Sequence, residues 1–287
     1  MPPCATSVCL FAAYAPDGIL PPHTIYYLSQ ISKEGFIIHI ALAGALRASP
    51  DSLTFCEAHG IKIWPRPNAG LDFGSWQYLK RIGCADGATQ VLLANDSVFG
   101  PMTPLTPIFA KMMHNDAPVW GLVGSRAITR HLQSWFVCFE KKSFEHPVIA
   151  RFFEQDFASM SREEVIWHGE LGLAVACNAA ELVFDAAWKD WNSVSSRFFP
   201  ANPMHTRWRR FAAGRDIPFI KVELIRDDPF NLGVAQKWRS IVQGQYGFDP
   251  LWIEAYLMTH AQQLNQHAKN PNMMGKILYK ILYVMHL

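Results

Sequence analysis

The sequence predicts an α/β fold, with a mostly parallel sheet covered by helices on both faces and a helical part at the C-terminal end. In the first two thirds of the chain, short apolar runs alternate with segments of helical periodicity. Strands separated by helices of this length favour parallel pairing. Prolines punctuate the chain after about residue 190, and helical patterns dominate after Val234. We therefore predict a domain of residues 1–230 and a helical extension of residues 231–287.

The first strand and the first helix show how the elements are assigned. Val8–Ala13 is a compact apolar run, and no Lys or Arg precedes it, so we expect a buried strand rather than a signal peptide. His23–Lys33 carries Ile25, Leu28 and Ile31 at helical spacing. By the same criteria, further strands are predicted at Phe36–Leu42, Ile61–Trp64, Val91–Ala94, Val119–Val123, Ser134–Phe139 and Glu181–Phe184, and further helices at Phe73–Ile82, Pro107–His114 and Pro147–Phe157.

Composition excludes several classes of protein. Of the 287 residues 50% are hydrophobic, which is ample for a core and excludes a disordered chain. The 26 basic and 24 acidic residues leave a net charge of +2, whereas a nucleic-acid-binding protein is strongly basic. The six cysteines form no CxxC pair, which favours a reducing, cytoplasmic compartment. The longest apolar run, Phe36–Leu46, falls short of the ~20 residues of a spanning helix.

Polar residues directly follow the fourth predicted strand. Leu92-Leu93-Ala94 runs into Asn95, Asp96 and Ser97, so a carboxylate stands at the end of a buried strand. In an open α/β sheet, ligands bind beyond the carboxyl ends of the strands. A carboxylate there is suited to a divalent cation that neutralises a diphosphate. An Asx turn explains the same residue types equally well.

The end of the third predicted strand carries similar groups. Arg66 is suited to an anion, Gly70 and Gly74 allow close approach of the backbone, and Asp72 is placed to cap the next helix. Taken alone, this segment is an ordinary strand–turn–helix connection. Together with Asn95-Asp96-Ser97, it gives two adjacent strand ends with polar groups suited to a nucleotide and a diphosphate.

Five blocks of the sequence, in the same order, resemble the rhamnan synthesis protein F family. The blocks are Phe11–Tyr14, Arg66–Trp76, Leu92–Pro101, His131–Phe136 and Pro218–Arg226. The resemblance covers roughly residues 8–230. It implies the single nucleotide-binding domain of A-type glycosyltransferases, which agrees with the sheet predicted from the residues alone.

The resemblance also implies an activity and a donor site. The activity is transfer of a hexose or deoxyhexose from a nucleotide sugar to a lipid-linked saccharide, in the biosynthesis of bacterial surface polysaccharide such as O-antigen lipopolysaccharide or rhamnan. We expect Asp96 to bind the donor diphosphate, with or without Mn²⁺ or Mg²⁺, and His205 to be the partner of Asp96 at such a cation. The residues expected around the nucleotide are Arg66, Asn68, Gly70, Asp72, Asn95 and Ser97.

The same resemblance assigns the acceptor side. Glu170 would be the general base of a direct displacement with inversion, although a carboxylate favoured by a helix N-terminus explains it equally well. His131 and Gln133 precede the sixth predicted strand and would reach the sugar or the acceptor, with a structural role as the alternative. Lys221 would also contact substrate, since it belongs to a group of basic residues that suits a lipid diphosphate or an anionic bilayer. That group is Arg207, Arg209, Arg210, Arg215, Lys221 and Arg226.

Two departures from the family pattern motivate a second hypothesis. Residue 13 is Ala where a His is expected, and Asn95-Asp96-Ser97 supplies one carboxylate where Asp-x-Asp supplies two. The alternative function is a non-catalytic, transferase-like subunit that binds a sugar or a lipid carrier within a polysaccharide assembly complex.

The last segment of the chain predicts an amphipathic helix. The helix would span Asn272–Leu287. One broad apolar face carries Ile277, Ile281 and Val284, with Leu278, Leu282 and Met285 beside them. The residues nearer the other side are Lys276, Lys280 and Tyr283. Such a helix suits peripheral contact with the inner face of the cell membrane. Docking of the apolar face onto the domain, or onto a second copy in a homodimer, is the alternative.

Overall fold

The computed structural model describes residues 6–192, 194–198, 201–214, 216–243, 246–260, 271 and 273–285. Cys4 and Arg215 lie outside the described residues. The strands are β1 Ser7–Tyr14, β2 Phe36–Ala43, β3 Lys62–Arg66, β4 Gln90–Asn95, β5 Val98–Phe99, β6 Val119–Ser125, β7 His131–Leu132, β8 Phe136–Glu140, β9 Phe184–Trp188 and β10 Ile220–Lys221. The helices are α1 Pro22–Lys33, α2 Pro50–Ala58, α3 Leu71–Arg81, α4 Thr106–Met113, α5 Lys141–Phe144, α6 Pro147–Phe152, α7 Arg162–Val165, α8 Gly172–Ala179, α9 Val194–Phe198, α10 Pro203–Thr206, α11 Trp208–Ala212, α12 Val222–Arg226, α13 Val234–Val242, α14 Leu251–Thr259 and α15 Met273–Met285.

Eight strands form one sheet in the order β3-β2-β1-β4-β8-β6, with β7 and β9 both paired to β6. Strands β3, β2, β1 and β4 are parallel, and β8 lies antiparallel between β4 and β6. The short strands β5 and β10 form a separate antiparallel pair. The predicted α/β architecture, with a mostly parallel sheet, helices and a helical C-terminal part, is therefore confirmed.

Alternation along the strands divides the core into two layers. On β1, Phe11 packs on the face covered by α1 and α4, and Leu10 packs on the face covered by α3, α6 and α8. Both side chains are fully buried. Because strand side chains alternate between faces, a strand buried on both sides reads as a continuous apolar run. This explains why the apolar runs of β1 and β4 could be assigned as strands from the sequence.

Three of the differences between the predicted and the observed elements have a clear physical reason. Helix α2 was not predicted, because it buries only Ser52 and Cys56 and has a weak apolar stripe; Ser49 caps its first turn. Strand β9 begins at Phe184, later than predicted, because Glu181 adopts a left-handed backbone conformation with φ 54° that turns the chain after α8. Helix α6 ends at Phe152 rather than at residue 157, where a 3₁₀ turn follows instead.

The helical extension shares a core with the sheet domain. One apolar cluster includes Phe99 and Trp208 from the first part of the chain and Trp238, Ile253 and Tyr283 from the second. The Tyr26 ring of α1 also lies against the Trp252 ring of α14, with 5.1 Å between centroids. The two parts are therefore packed together, and the boundary near residue 230 stays a prediction.

Helix α15 docks through its tyrosines, which corrects the predicted face. The Tyr279 ring stacks on Phe230 with centroids 3.6 Å apart, and its hydroxyl accepts a hydrogen bond from the backbone N–H of Asn202 at 3.0 Å. Tyr283 and Leu282 are buried. The prediction that Tyr283 lies on the polar side and that Leu282 belongs to one apolar face is wrong, because ring stacking selects the docked face. The exposed apolar residues are Met273, Met274, Ile277, Ile281, Val284 and Met285.

Among the described residues, every helix is too short or too polar to cross a membrane. Asn272, His286 and Leu287, which belong to the predicted amphipathic segment, lie outside the described residues.

We expect Gly74→Ala to destabilise the protein by about 1–3 kcal/mol, the usual cost of overpacking. A Cβ at Gly74, inside α3, would lie 2.2 Å from the carbonyl oxygen of Ala69, which is backbone and cannot move aside cheaply. Gly172→Ala is the matched control, since its Cβ would meet Phe152 at an ordinary 3.4 Å and Ala favours helix. Urea denaturation of both variants measures the difference, and equal stability would contradict the packing around α3.

Candidate active site

The predicted polar residues meet at one edge of the sheet. Parallel strands β1, β2, β3 and β4 all end there, and the antiparallel strand β8 begins there. Asp96 follows β4, its backbone N–H donates to the carbonyl of Ala12 in β1, and Asp72 enters from the first turn of α3. The strand ends that the sequence singled out are therefore adjacent in space.

Asn95 connects the two predicted strand ends. Its side-chain N–H donates to Oδ2 of Asp72 at 2.6 Å, and its Oδ1 accepts from the backbone N–H and the hydroxyl of Ser97 at 3.1 and 2.7 Å. The Asx turn offered as the alternative is thus present, and Asn95 makes it. Burial raises the pKa of Asp72 to about 6, against the lowering effects of Lys221 and of the Asn95 hydrogen bond.

Asp96 is the carboxyl group with the larger pKa shift at this edge. Its Oδ2 accepts the backbone N–H of Tyr14 at 2.8 Å. Burial raises its pKa to about 7, the hydrogen bond from Tyr14 opposes that rise, and the charge of Asp72 adds to it. Asp96 therefore binds its proton more tightly than an exposed carboxyl group does, and in the protonated form it can donate a hydrogen bond as well as accept one.

Lys221 brings positive charge to the same edge. Strand β10 pairs with β5 so that Lys221 lies opposite Val98, and the backbone N–H of Val222 donates to the carbonyl of Ser97 at 2.9 Å. The charge of Lys221 lowers the pKa values of both Asp72 and Glu170. The prediction placed Lys221 among the substrate contacts, and the structure places it beside the predicted donor residues.

Glu170 lies in a π-helical turn, Ile166–Leu171, between α7 and α8. Its Oε1 is 3.2 Å from Nε2 of His131, and its Oε2 accepts the hydroxyl and the backbone N–H of Ser134 at 2.7 and 3.2 Å. Burial would raise the pKa of Glu170, but the hydrogen bond and charge of His131, with Lys221 and Ser134, lower it to about 2. Glu170 is therefore ionised, and its side chain is 25% exposed.

His131 is the basic partner of Glu170. Its Nδ1 lies 2.7 Å from the carbonyl oxygen of Thr129, so both ring nitrogens face acceptors. Burial alone would lower the pKa of His131, but the hydrogen bond and charge of Glu170 outweigh it and leave the pKa raised. His131 is buried, so it holds Glu170 in place, and a contact of His131 with substrate stays a prediction.

Gln133 has a similar structural environment. Its side-chain N–H donates to Oδ1 of Asn202 at 2.6 Å, and its Oε1 accepts the indole N–H of Trp135 at 3.0 Å. The side chain is buried. These bonds order the segment before β8, and substrate contact by Gln133 also stays a prediction.

The loop after β3 is held by Arg66. Its guanidinium donates to the Ser75 hydroxyl at 2.9 Å and to the carbonyl of Ala69 at 2.8 Å. Gly70 has φ 72°, and a Cβ there would lie 2.9 Å from the backbone of Phe157. Asn68 is exposed at the tip of the loop. Arg66 and Gly70 therefore shape the loop, and Asn68 and Asp72 are the members that remain accessible to a ligand.

The predicted cation partner, His205, is bonded elsewhere. Its Nε2 lies 3.0 Å from Oε1 of Glu223, and it is buried in α10. Within the part of the chain that the structure describes, no group of three His, Cys, Asp or Glu side chains is arranged to hold a metal ion. The residues present do not by themselves form a cation site, so the Asp96–His205 pair stays a prediction, and no step below depends on it.

Carboxylates neutralise part of the basic group that the sequence singled out. Arg226 donates to both carboxylate oxygens of Asp227 at 2.8 and 2.7 Å, and Arg210 pairs with Asp216. Arg207 lies 3.8 Å from Asp190. An open cationic surface was the expectation, and these ion pairs replace much of it.

Two residues of the site were missed in the sequence. Ser134 donates hydrogen bonds to Glu170. Burial raises the pKa of Tyr256 in α14 to about 12, and the charge of Asp96 adds to that rise. Ser134 lies next to the predicted strand and could have been found with the His131 block. Tyr256 belongs to the extension, where no motif pointed to the site.

The sequence model of the rhamnan synthesis protein F family matches residues 61–277. A virulence protein, VirA, of Vibrio anguillarum is 26% identical over 224 residues, which cover 68% of this chain and 71% of that protein.

Among the solved structures that align with part of this chain is glucosyl-3-phosphoglycerate synthase from Mycobacterium tuberculosis in complex with uridine diphosphate. The identity is 10% and the TM-score 0.36, and the alignment covers 62% of this chain and 81% of that one. The glycosyltransferase GlyE of Streptococcus pneumoniae has 10% identity and a TM-score of 0.39, covering 93% and 66%. Both TM-scores are below 0.5, so the fold is established by the order and direction of the strands.

We expect Asp96→Asn to stabilise the protein at about pH 8, on the order of 2 kcal/mol after allowance for solvent screening. The pKa of Asp96 is raised from 3.8 to about 7, so the folded state binds the proton more tightly than the unfolded state does. Stability is therefore lost as pH rises from the unfolded pKa through the folded one. Asn keeps an acceptor for the Tyr14 N–H.

Chemical denaturation at about pH 3 and at about pH 8 measures this effect, which should nearly vanish at the lower pH because the carboxyl group is then largely protonated in both states. Asp116→Asn, an exposed carboxylate, is the control. An equal effect of Asp96→Asn at both pH values would contradict the raised pKa.

Proposed function

The chain belongs to the rhamnan synthesis protein F family, and from this premise we propose that it transfers a sugar from a nucleotide-sugar donor to a lipid-linked saccharide of a bacterial surface polysaccharide. The observation that carries the proposal is the meeting of Asp72, Asp96, Glu170 and Lys221 at the carboxyl edge of a mostly parallel sheet. Ligands of open α/β sheets bind at this edge.

The donor diphosphate would lie beside Lys221 and Asp96. Lys221 supplies the positive charge that stabilises the diphosphate as it leaves, which is the largest electrostatic demand of the reaction. Asp96, with a pKa of about 7, donates a hydrogen bond to a phosphate oxygen in its protonated form. The nucleotide would extend along the loop that carries Asn68 and Asp72.

Glu170 would accept the proton of the acceptor hydroxyl. In a direct displacement the acceptor oxygen bonds to the anomeric carbon, the bond from that carbon to the diphosphate breaks, and the configuration inverts. The carboxylate is ionised, partly exposed and oriented by His131 and Ser134. General-base catalysis of this kind contributes ~10²–10⁴-fold.

One observation favours the second candidate function, a non-catalytic subunit that binds a sugar or a lipid carrier. Glu170 has a pKa of about 2 because His131 and Lys221 stabilise its charge. A carboxylate with so low a pKa is a weak proton acceptor at neutral pH. In a subunit without catalysis, the same ion pair would only order the segment before β8.

A transfer assay separates the two functions. We expect the wild-type protein to consume nucleotide sugar in the presence of a lipid-linked acceptor, and Asp96→Asn to reduce turnover because an amide N–H is a weaker hydrogen-bond donor to phosphate than a carboxylic acid. Glu170→Gln should lower kcat by ~10²–10⁴-fold with little change in donor affinity. Asp116→Asn, remote and exposed, is the control for both carboxamide substitutions.

Absence of turnover with every nucleotide sugar tested, together with retained binding of one of them, would identify the non-catalytic subunit. Transfer with retention of the anomeric configuration would remove Glu170 from the role of base.

We also propose that the exposed side of α15 lies on the cytoplasmic face of the membrane, where a lipid-linked acceptor is found. Ile277 and Ile281 project from the docked helix with Val284 and Met285, and Lys280 is exposed beside them. An exposed apolar stripe with a basic residue suits the headgroup boundary. The alternative is that a second copy of the chain binds this apolar stripe and forms a homodimer.

Flotation with phosphatidylglycerol vesicles tests this contact. Ile277→Gln with Ile281→Gln should release the protein from the vesicles, because both side chains are exposed and their replacement leaves the docked tyrosine face intact. Met113→Gln with Val183→Gln, two exposed apolar residues elsewhere, is the control. Unchanged flotation, or a dimer in gel filtration that the Ile variant dissociates, would overturn the membrane contact.

A further inference from the structure

A cavity of about 370 Å³ lies beyond the ends of β6 and β9, away from the predicted donor residues. Its lining consists of Arg126, Ile128, Thr129, Arg130, Trp191 and Asn192. Strand β6 ends at Ser125 and the parallel strand β9 ends at Trp188, so the cavity opens at the same edge of the sheet as Asp96. Its volume falls within the range of ligand-binding pockets.

Trp191 fixes both arginines of this cavity. The Arg130 guanidinium lies 3.9 Å from the centroid of the Trp191 ring, and Nη1 of Arg126 donates to the carbonyl of Trp191 at 3.0 Å. The indole N–H of Trp191 donates to the carbonyl of Ser125 at 3.1 Å, and the side chain is buried. The two guanidinium groups are therefore ordered before any ligand arrives, which lowers the entropic cost of binding.

The charge of the cavity is not neutralised by its own walls. None of the six lining residues is acidic. Within residues 6–192 and the other described ranges, neither Arg126 nor Arg130 forms an ion pair, whereas Arg207, Arg210 and Arg226 each do. Two ordered, unpaired guanidinium groups facing one space are suited to phosphate oxygens, which they bind in a bidentate manner.

The cavity is directly connected to the proposed base. Thr129 lines the cavity, and its carbonyl accepts the Nδ1–H of His131 at 2.7 Å. His131 in turn holds Glu170 through Nε2 at 3.2 Å. A ligand in the cavity therefore lies on the side of Glu170 that His131 occupies. Asp72 and Lys221, among the predicted donor residues, also interact electrostatically with Glu170.

We propose that this cavity binds the diphosphate of the lipid-linked acceptor, an inference that rests on the transferase function proposed above. Arg126 and Arg130 hold the phosphate groups, and the exposed side chain of Ile128 borders the apolar carrier. The saccharide then extends from the diphosphate past Thr129 toward Glu170. The donor and acceptor diphosphates thus occupy two cationic positions, one on each side of the Glu170–His131 pair.

Isothermal titration with farnesyl diphosphate, a soluble prenyl diphosphate, tests the site. Arg126→Gln with Arg130→Gln should weaken binding roughly tenfold to a hundredfold, as expected for the loss of charge-assisted hydrogen bonds. Lys142→Gln with Arg151→Gln removes the same charge from exposed positions and should have no effect. Lys221→Met should leave farnesyl diphosphate affinity unchanged. Arg126→Lys with Arg130→Lys, which keeps the charge and loses the planar fork, should fall between.

Equal affinity of the wild-type and glutamine variants for farnesyl diphosphate, or no binding by the wild type, would overturn the acceptor site. A loss seen only with Lys221→Met would assign the prenyl diphosphate to the donor position and overturn it too. Loss of binding to phosphatidylglycerol vesicles with unchanged farnesyl diphosphate affinity would reassign the arginines to a lipid headgroup. Nucleotide-sugar binding, measured on the same variants by thermal shift, reports on the transferase function separately, because it should persist in all arginine variants.

Discussion

Three carboxyl groups share one edge of the sheet, and the site depends on how burial and neighbouring charges set the proton affinity of each. Burial raises the pKa values of Asp72 and Asp96 to about 6 and about 7. Glu170 responds in the opposite way, because His131 and Lys221 stabilise its charge. Groups of one chemical type in one site thus differ widely in proton affinity, and the difference comes from their surroundings rather than from their chemistry.

The positions of these groups depend on irregular elements as much as on the sheet. Glu170 lies in a π-helical turn, a feature that often occurs at functional positions because it shifts the face that a side chain presents. A Cβ at Gly169 would lie 2.5 Å from the Phe73 ring, so the turn is seated tightly on α3. Lys221 depends on the short pairing of β5 with β10. Both elements are short, and both determine the electrostatics of the site.

The sequence predicted those parts of the fold that local patterns encode. The apolar runs of β1 and β4 identified the buried strands, and the position of Asp96 at a strand end followed from them. The Glu170–Ser134 contact joins residues separated by 36 positions and depends on the order of β8 beside β4, which no local pattern encodes. The docked face of α15 was mispredicted because tyrosines count as partly polar in a helical projection, whereas the stacking of Tyr279 on Phe230 decides the orientation.

The helical extension also bears on the chemistry of the sheet edge. Phe99 of β5 lies 5.5 Å, between ring centroids, from Tyr256 of α14, and Asp96 acts electrostatically on the same tyrosine. The surroundings of the Asp96 carboxyl are therefore assembled from segments more than a hundred residues apart, roughly the size of a small domain. A chimera that joined this sheet to the C-terminal helices of another protein would keep every strand end and still replace the aromatic ring that packs on Phe99 beside Asp96. The sheet edge and its extension are therefore one structural unit at this point, and an exchange of the C-terminal helices alone would separate groups that interact across it.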